Sequence, residues 1–559
     1  MLKESNNRVI LKIFGAAVAV FVLVYLAITV IGPGEGPGKG LDGESLDDII
    51  KEINVNTVQH PMGQVIVPSD LHDSLTESLP DISKYPPQVD KSTSAYIEIF
   101  SSTEKAGSGT DGWLTEVARD FNNASIVIDG KQVSVRLRGI PSGEAADYIT
   151  SGKYVPDAYT PSNELWGEMV ISKGVKAELV QERLAGNVAG ILLTKSKKDE
   201  LVNKYGAINT KTISEAVANR ELAMGYTNPF ASSTGLNFLM STLYTFDSSN
   251  LLSEKAKSGF ESFQTNIPLV AYTTLQMRES AKSGVLDGFV LEYQTYMNTP
   301  DIRYYEFTPF GYRHDSPMYA IGELSPEKMK ILNEFVKFSQ QEKYQTLATE
   351  YGFNGFNEYQ SEAGPVSGDV VIQAQKLWKE KKKPICAVFV ADISGSMMGE
   401  PLNNLKDSLL NGQYYIGEDN MVGLVSYSND VNIDLPIAKF DLNQRALFAG
   451  AVNDLEAGGS TATFDGIAVA MKMIQDQRAE DPDLRPIIFV LSDGETNRGH
   501  SLDEIKGTVE DLGIPIYTIG YNANIPALQA ISSINEAASI NAETDDVVYK
   551  LGNLFNAEM

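Results

Sequence analysis

The 559-residue sequence predicts an α/β protein built on mostly parallel sheets, and three observations carry that reading. Strand-like and helix-like segments alternate from Thr93 to about Phe356, and they alternate again from Pro384 to the C-terminus. At the start of the second block, six consecutive apolar residues, Ile385–Val390, have the length and composition of a strand buried on both faces. Ala391 leads that strand into an acidic, hydroxyl-rich loop in which Asp392, Ser394 and Ser396 fall at every second position. Gly395 and Gly399 permit the loop to curl, so that one carboxylate and two hydroxyls converge on a point. An oxygen-only donor set suits a hard cation such as Mg2+.

Length predicts three or four domains, each large enough to bury a core. The net charge of −27 argues against nucleic acid as a partner, because phosphates would be repelled. Cys386 stands alone, which excludes an intramolecular disulfide framework and a cysteine zinc cluster; inside the apolar strand it reads as a small buried hydrophobe. The four histidines, His60, His72, His314 and His500, fit neither a Ser-His-acid triad nor a metal-ligand spacing. No catalytic residue is assigned, and an enzyme is disfavoured.

Taken in order, residues 1–12 carry Lys3, Arg8 and Lys12 ahead of Ile13–Ile31, a run of 19 residues without a charge. As a helix it would cover about 28 Å, near the hydrocarbon thickness of a bilayer. Glu35, Asp42 and Glu44 follow, so the charge bias predicts a single-pass membrane anchor with a cytoplasmic N-terminus and the bulk of the chain outside. The alternative is a cleaved signal peptide, for which the run is long and LAITVIG a poor cleavage site. Residues 32–92, opening with GPGEGPGKG, read as a linker or stalk, partly ordered at best.

Residues 93–360 hold repeated strand–helix units: strands at Ala95–Phe100, Ser125–Ile128, Gln132–Leu137 and Pro156–Tyr159, with helices at Trp113–Asn122 and Ala145–Thr150. A second set contains Ile191–Thr194, Leu222–Tyr226 and the helix Leu236–Tyr244. Polar, flexible stretches follow the strand ends, where an open α/β sheet places its ligand crevice. Capping of the following helix is the competing role for Ser232, Ser233 or Thr234. The stretches YIEIFSSTEKAG, GIPSGEAADYITSGKYVPDAYTPSNELW, MGYTNPFASSTGLNFL and SGVLDGFVLEYQTY together resemble the two-lobed extracellular solute-binding proteins of the periplasmic type. The resemblance implies two α/β lobes closing on a small solute, with the hydroxyls of Ser101, Ser142, Ser162 and Thr234 facing the cleft. Loss of the ligand would leave the lobes as a surface for other proteins.

Residues 361–383 read as a linker helix ending in Lys379 and Lys381–Lys383, and Pro384 stops it. Over 384–559 the order is βαββαβαβα, a doubly wound, Rossmann-like sheet. Its elements are a helix Leu402–Leu410, strand Val422–Tyr427, antiparallel edge strand Val431–Leu435 and helices Gln444–Glu456 and Phe464–Arg478. Strand Ile487–Leu491, helix Leu502–Leu512, strand Ile514–Ile519 and terminal helices Ala527–Asn535 and Asp545–Phe555 complete it.

Three separated loops in this block, Asp392-x-Ser394-x-Ser396, Gly459-Ser460-Thr461 and Asp493 after a strand, resemble in type and order the metal-ion-dependent adhesion site of the von Willebrand factor A domain. The resemblance implies direct coordination by Ser394, Ser396 and Thr461, with Asp392 and Asp493 holding bound waters. Neutral hydroxyls leave the ion with excess positive charge, so a partner protein's Asp or Glu would complete the octahedron that Mg2+ demands, with Mn2+ or Ca2+ as alternative ions. Read singly, Ser394, Ser396 and Thr461 would each serve as helix caps and Asp493 as a turn residue. The implied function is a membrane-anchored binding protein that grips an acidic side chain of a protein partner. The alternative is a receptor whose lobes bind a small solute and signal through the A domain. A role in cofactor insertion beside an ATPase finds no P-loop to support nucleotide use.

Overall fold

In the computed structural model, a helix, Leu46–Glu52, and a short strand, Val55–Thr57 (β1), come first among the described residues. The structure describes residues 45–65, 79–264, 266–267, 269–271, 277, 286–381, 384–413, 416–481, 484–521, 526–534 and 539–542. The first lobe is built from β2 (Ala95–Ser101), β3 (Val127–Ile128), β4 (Lys131–Gly139), β5 (Ala158–Thr160) and β6 (Ala177–Gln181). The chain crosses at 182–187 to a second lobe of β7 (Val188–Thr194), β8 (Met224–Thr227), β9 (Leu269–Ala271), β10 (Gly288–Glu292) and β11 (Tyr305–Arg313). It then returns to the first lobe with β12 (Met318–Ile321). The two sheets run β3-β4-β2-β5-β12-β6 and β11-β7-β10-β8-β9. Helices Trp113–Asn123, Ser142–Ser151 and Glu164–Ser172 start beyond the carboxyl ends of first-lobe strands, and Ser233–Phe246 does so in the second lobe.

The lobes are docked directly on one another. The Gly143 amide donates to the Ala231 carbonyl at 3.3 Å, Asn163 Nδ2 to the Ser233 carbonyl at 3.2 Å, and Trp166 Nε1 to Ser233 Oγ at 2.9 Å. A Cβ on Gly143 would lie 2.0 Å from the Phe230 carbonyl oxygen, so glycine is what lets the two backbones approach. Helix Gly368–Glu380, which the sequence presents as a linker, spans both lobes instead. At its start, a Cβ on Gly368 would meet the Glu168 carbonyl oxygen at 2.0 Å. Further along, Gln375 Nε2 donates to the Pro229 carbonyl at 2.8 Å and Trp378 Nε1 to the Tyr226 hydroxyl at 2.5 Å. Val371, Ala374 and Trp378 are buried in the core shared by the two lobes, because the helix's apolar positions repeat at helical spacing on one face.

Asp147, on helix Ser142–Ser151, has a side chain 24% exposed, and its charge has Lys173 4.0 Å away. Burial pushes its carboxyl up to about 6, with Lys173 opposing. A folded-state value above the unfolded one near 3.9 means that stability present at low pH is lost as pH rises through 6. Asp147→Asn is therefore expected to raise the unfolding midpoint at pH 8, by the equivalent of about 1–3 kcal/mol, and to leave it unchanged at pH 3. Thermal denaturation at the two pH values checks this.

The third sheet has seven strands in the order β1-β15-β14-β13-β16-β17-β18. It comprises β13 (Ile385–Asp392), β14 (Met421–Tyr427), β15 (Val431–Lys439), β16 (Arg485–Ser492), β17 (Ile516–Tyr521) and β18 (Ser539–Ala542). β13 lies at its centre, parallel to β14 and β16 in register Val390↔Val425 and Val390↔Val490. Successive side chains of β13 enter opposite cores. Ile385, Ala387 and Phe389 face helices Glu400–Gly412 and Leu442–Asp454, while Cys386, Val388 and Val390 face Thr463–Glu480 and Leu502–Leu512. Burial on both faces explains the unbroken apolar run. Burial also pushes the Cys386 thiol up to about 12, so no labelling by a thiol reagent is expected at pH 7.5 until denaturant is added; mass spectrometry after timed exposure tests this.

Several expectations are corrected here. The stretch read as a stalk is bound at both ends. Leu46 and Ile49 enter the A-side core, β1 pairs in parallel with β15, and His60 sits between Asp434 at 3.1 Å and Asp454 at 3.2 Å. Farther on, Tyr148 Oη donates to the Pro80 carbonyl at 2.6 Å, fixing residues from 79 onward to the first lobe. Strand β18 stands where the sequence shows no strand, and Asp545–Phe555 lies outside the described residues. The expected single-pass membrane location is not sustained: among the described residues no helix is long and apolar enough to cross a membrane, and Ile13–Ile31 lies outside them.

Candidate metal centre and solute cleft

The candidate metal centre lies at the carboxyl ends of β13 and β16, where two parallel strands deliver their following loops side by side. Asp392, the last residue of β13, is fully buried; its Oδ1 accepts from the Ser394 amide at 2.8 Å and its Oδ2 from Ser492 Oγ at 2.6 Å. Ser394 Oγ and Ser396 Oγ are 2.9 Å apart, and Ser396 Oγ donates to Asp493 Oδ1 at 2.8 Å. The Gly-Ser-Thr loop is laced to this one. The Gly395 amide donates to the Gly459 carbonyl at 3.0 Å, and the Gly458 amide to the Ile393 carbonyl at 2.8 Å. Thr461 is oriented from the Asp493 side, where its amide donates to Asn497 Oδ1 at 2.9 Å.

The capping roles open to these residues are not the ones they take. Gly399 and Ala462, not Ser396 or Thr461, occupy the N-cap positions of helices Glu400–Gly412 and Thr463–Glu480, and Ser394 makes no side-chain cap bond. Thr461 contributes its amide and carbonyl to these loops, and its Oγ1 has no hydrogen-bond partner among the described residues. Burial raises the Asp392 carboxyl above the ordinary carboxylate range, with hydrogen bonds from Ser492 and Ser394 offsetting and the Asp493 charge adding to it. A cation would relieve that unfavourable burial of charge. The donor set of three hydroxyls and two carboxylates therefore fits a hard divalent ion. Among the described residues, no three His, Cys, Asp or Glu side chains are grouped to hold a metal, so the hydroxyls are essential to such a site. Asn429, whose Oδ1 accepts from the Ser460 amide at 3.0 Å, orients these loops together with Ser492 and Asn497, and all three escape a motif reading because each acts through one side-chain amide or hydroxyl.

The interlobe cleft encloses about 140 Å3, and Ser142 and Ser162 line it as expected from the resemblance. Ser101 and Thr234 do not. Ser101 closes β2 fully buried, its Oγ on the Ser102 carbonyl at 3.3 Å, and Thr234 Oγ1 donates to Glu292 Oε1 at 3.3 Å. Their neighbours Ser102 and Ser233 face the cavity instead, a one-residue offset that flips a side chain at a strand end or rotates it about a helix start. Glu104, Asp111 and Glu292, which no sequence motif marks, also line the cavity, and Lys105 is fully buried beside Glu104. His314, fully buried, receives Asn163 Nδ2 at 3.3 Å and Asn237 Nδ2 at 3.0 Å on Nε2, which leaves Nδ1 to donate to Glu292 Oε1 at 2.8 Å.

A family model described as von Willebrand factor type A domain matches residues 387–556, and one described as bacterial extracellular solute-binding protein matches residues 105–354. This chain is a solute-binding region fused to a von Willebrand factor A domain. Both matched families are typically binding modules without catalytic activity. Among relatives, the A-domain fusion is 29% identical over 158 residues to "Uncharacterized protein sll0103" of Synechocystis sp., covering 28% of this chain and 36% of that protein. It is also 29% identical over 153 residues to inter-alpha-trypsin inhibitor heavy chain H3 of Bos taurus, covering 25% and 17%. The fusion thus spans about a third and a sixth of the lengths of these curated relatives. Among solved structures, iron-bound HitA from Pseudomonas aeruginosa aligns over 51% of this chain and 99% of its own, at 12% identity and a TM-score of 0.37.

Proposed function

We propose that this fusion is a binding protein whose A domain uses a divalent cation, Mg2+ before Mn2+ or Ca2+, to hold an Asp or Glu side chain of a protein partner. Ser394, Ser396 and Thr461 would hold the ion, with Asp392 and Asp493 orienting water around it. The observation that supports this most is the hydrogen-bonded run Ser394–Ser396–Asp493 across two loops, beside a Thr461 hydroxyl that has no hydrogen-bond partner among the described residues. The bound ion would supply a positive charge to an incoming carboxylate; the chain's own contribution is to fix three neutral oxygens and keep the two carboxylates from quenching that charge. Calorimetric titration of Mg2+ into chelator-treated protein tests the reading. Saturable binding that Asp392→Asn weakens is expected, and an absence of binding to the unaltered protein would sink it.

A second reading concerns the lobes. The cavity lined from both sides, with Ser142 and Ser162 on its wall, supports a small solute as a second ligand of the same chain. On that reading the A domain would report occupancy to the partner.

A further inference from the structure

The charges around the interlobe cavity go beyond its shape. Glu104 and Asp111 line it from the first lobe and Glu292 from the second, whereas no Lys, Arg or His is among its described lining residues. Lys105 lies beneath the wall, fully buried, and its ammonium is held by Ser102 Oγ, the Pro161 carbonyl at 3.3 Å and Glu104 Oε1 at 3.4 Å. One lysine therefore offsets one of three carboxylates. Glu292 is held by His314, Thr234 and Asn187, the last at 2.9 Å. Glu104 differs. Its side-chain hydrogen bonds, from Ser102 at 2.5 Å, Ser162 at 2.9 Å and Lys105, all fall on Oε1, and no described side chain donates to Oε2.

Two helices, Ser142–Ser151 and Ser233–Phe246, begin at the cavity, and their positive ends would favour an anion by about half a charge apiece. That does not cancel the carboxylates, and the Gly143 amide is already given to the Ala231 carbonyl. The three carboxylates do not converge on one point: among the described residues no three acidic side chains are close enough to share a metal ion. A cation whose charge is carried on several N–H donors spans such a gap. The cavity, about 140 Å3 and partly open to solvent, favours a small solute.

We propose that the cleft takes a compact organic cation, bearing an ammonium or guanidinium group, with Glu104 Oε2 as its principal acceptor and the Asp111 and Glu292 charges completing the selection. This rests on the reading of the two-lobed region as a solute-binding module. The test is isothermal titration of the full chain in an amine-free buffer with methylguanidine, ethanolamine, sulfate, molybdate and acetamide as probes. Binding of one of the two cations, weakened at least tenfold by Glu104→Gln and also by Asp111→Asn, is the expected result. Glu104→Gln keeps an oxygen acceptor for Ser102 and Ser162, and its unfolding midpoint checks that it folds; Asp111→Asn supplies the same readout should it not. Binding of sulfate, molybdate or acetamide in place of the cations would overturn the charge assignment while leaving the solute-binding reading standing. Cation binding indifferent to both variants would overturn it too, and no binding by any probe would remove both.

Discussion

With Mg2+ in the proposed site, the unfolding midpoint of the A domain should rise, and Asp392→Ala is expected to abolish that rise. A ligand at about 100 times its dissociation constant stabilises the folded state by roughly 2.7 kcal/mol, and that increment disappears when the site cannot form. The apo protein responds differently. Alanine strands the Ser394 amide, at a cost of about 1–3 kcal/mol if left without a partner, while Ser492 Oγ keeps the Gly494 carbonyl at 3.1 Å as an acceptor, and the change also removes a buried carboxylate that burial already disfavours. The apo midpoint should therefore shift far less than the bond count alone suggests. Asp392→Asn separates the effects, since it retains a carbonyl oxygen for the Ser394 amide while losing the charge. Scanning calorimetry of the three proteins, each with chelator and with Mg2+, reads both quantities. An unaltered Mg2+ increment in Asp392→Ala would count against the metal centre.

Trp378→Ala is expected to be the most destabilising single change in the lobes. The indole is fully buried, lies 5.8 Å from the Phe230 ring and donates to the Tyr226 hydroxyl. Truncating a buried Trp costs about 3–5 kcal/mol through lost transfer energy and a residual cavity. The loss falls on an element that bridges the lobes, so local loosening should precede global unfolding. Hydrogen exchange should quicken in helices Glu164–Ser172 and Ser233–Phe246, while β13 and β16, in separate cores, keep their protection. Unchanged exchange in both helices would show that the bridging helix does not hold the lobes together.

What the sequence made legible was local. The β13 run is readable because burial on both faces removes polar residues altogether, and the loop after it because hydroxyls at alternate positions have few other uses. The A-domain strand order up to β17 follows from that alternation. β1 was not readable: three residues, Val-Asn-Thr, carry no period, and their partner strand lies far along the chain, Asn56 meeting Asn432 across 376 residues. In the cleft, the serine-rich loops were visible but not which hydroxyl of each pair turns inward, since Ser101 against Ser102 and Thr234 against Ser233 are settled by strand-end and helix-start geometry. Glu104-Lys105 carried an available signal, two adjacent charges between a strand and a glycine-rich turn where solvated loops usually hold small polar residues.

The pairing of β1 with β15 has a consequence for how the molecule is made. At about 5–20 residues per second of synthesis, the 376 residues between Asn56 and Asn432 correspond to a delay of about 20–75 s. In that interval both lobes and the helix that clamps them emerge whole, before Ile385 begins the last sheet. β1 waits as a short segment whose Asn56 and Thr57 stay exposed even in the finished protein, which gives it little to aggregate with. The ribosome thus delivers a completed insert first, and the A domain closes around its two ends last.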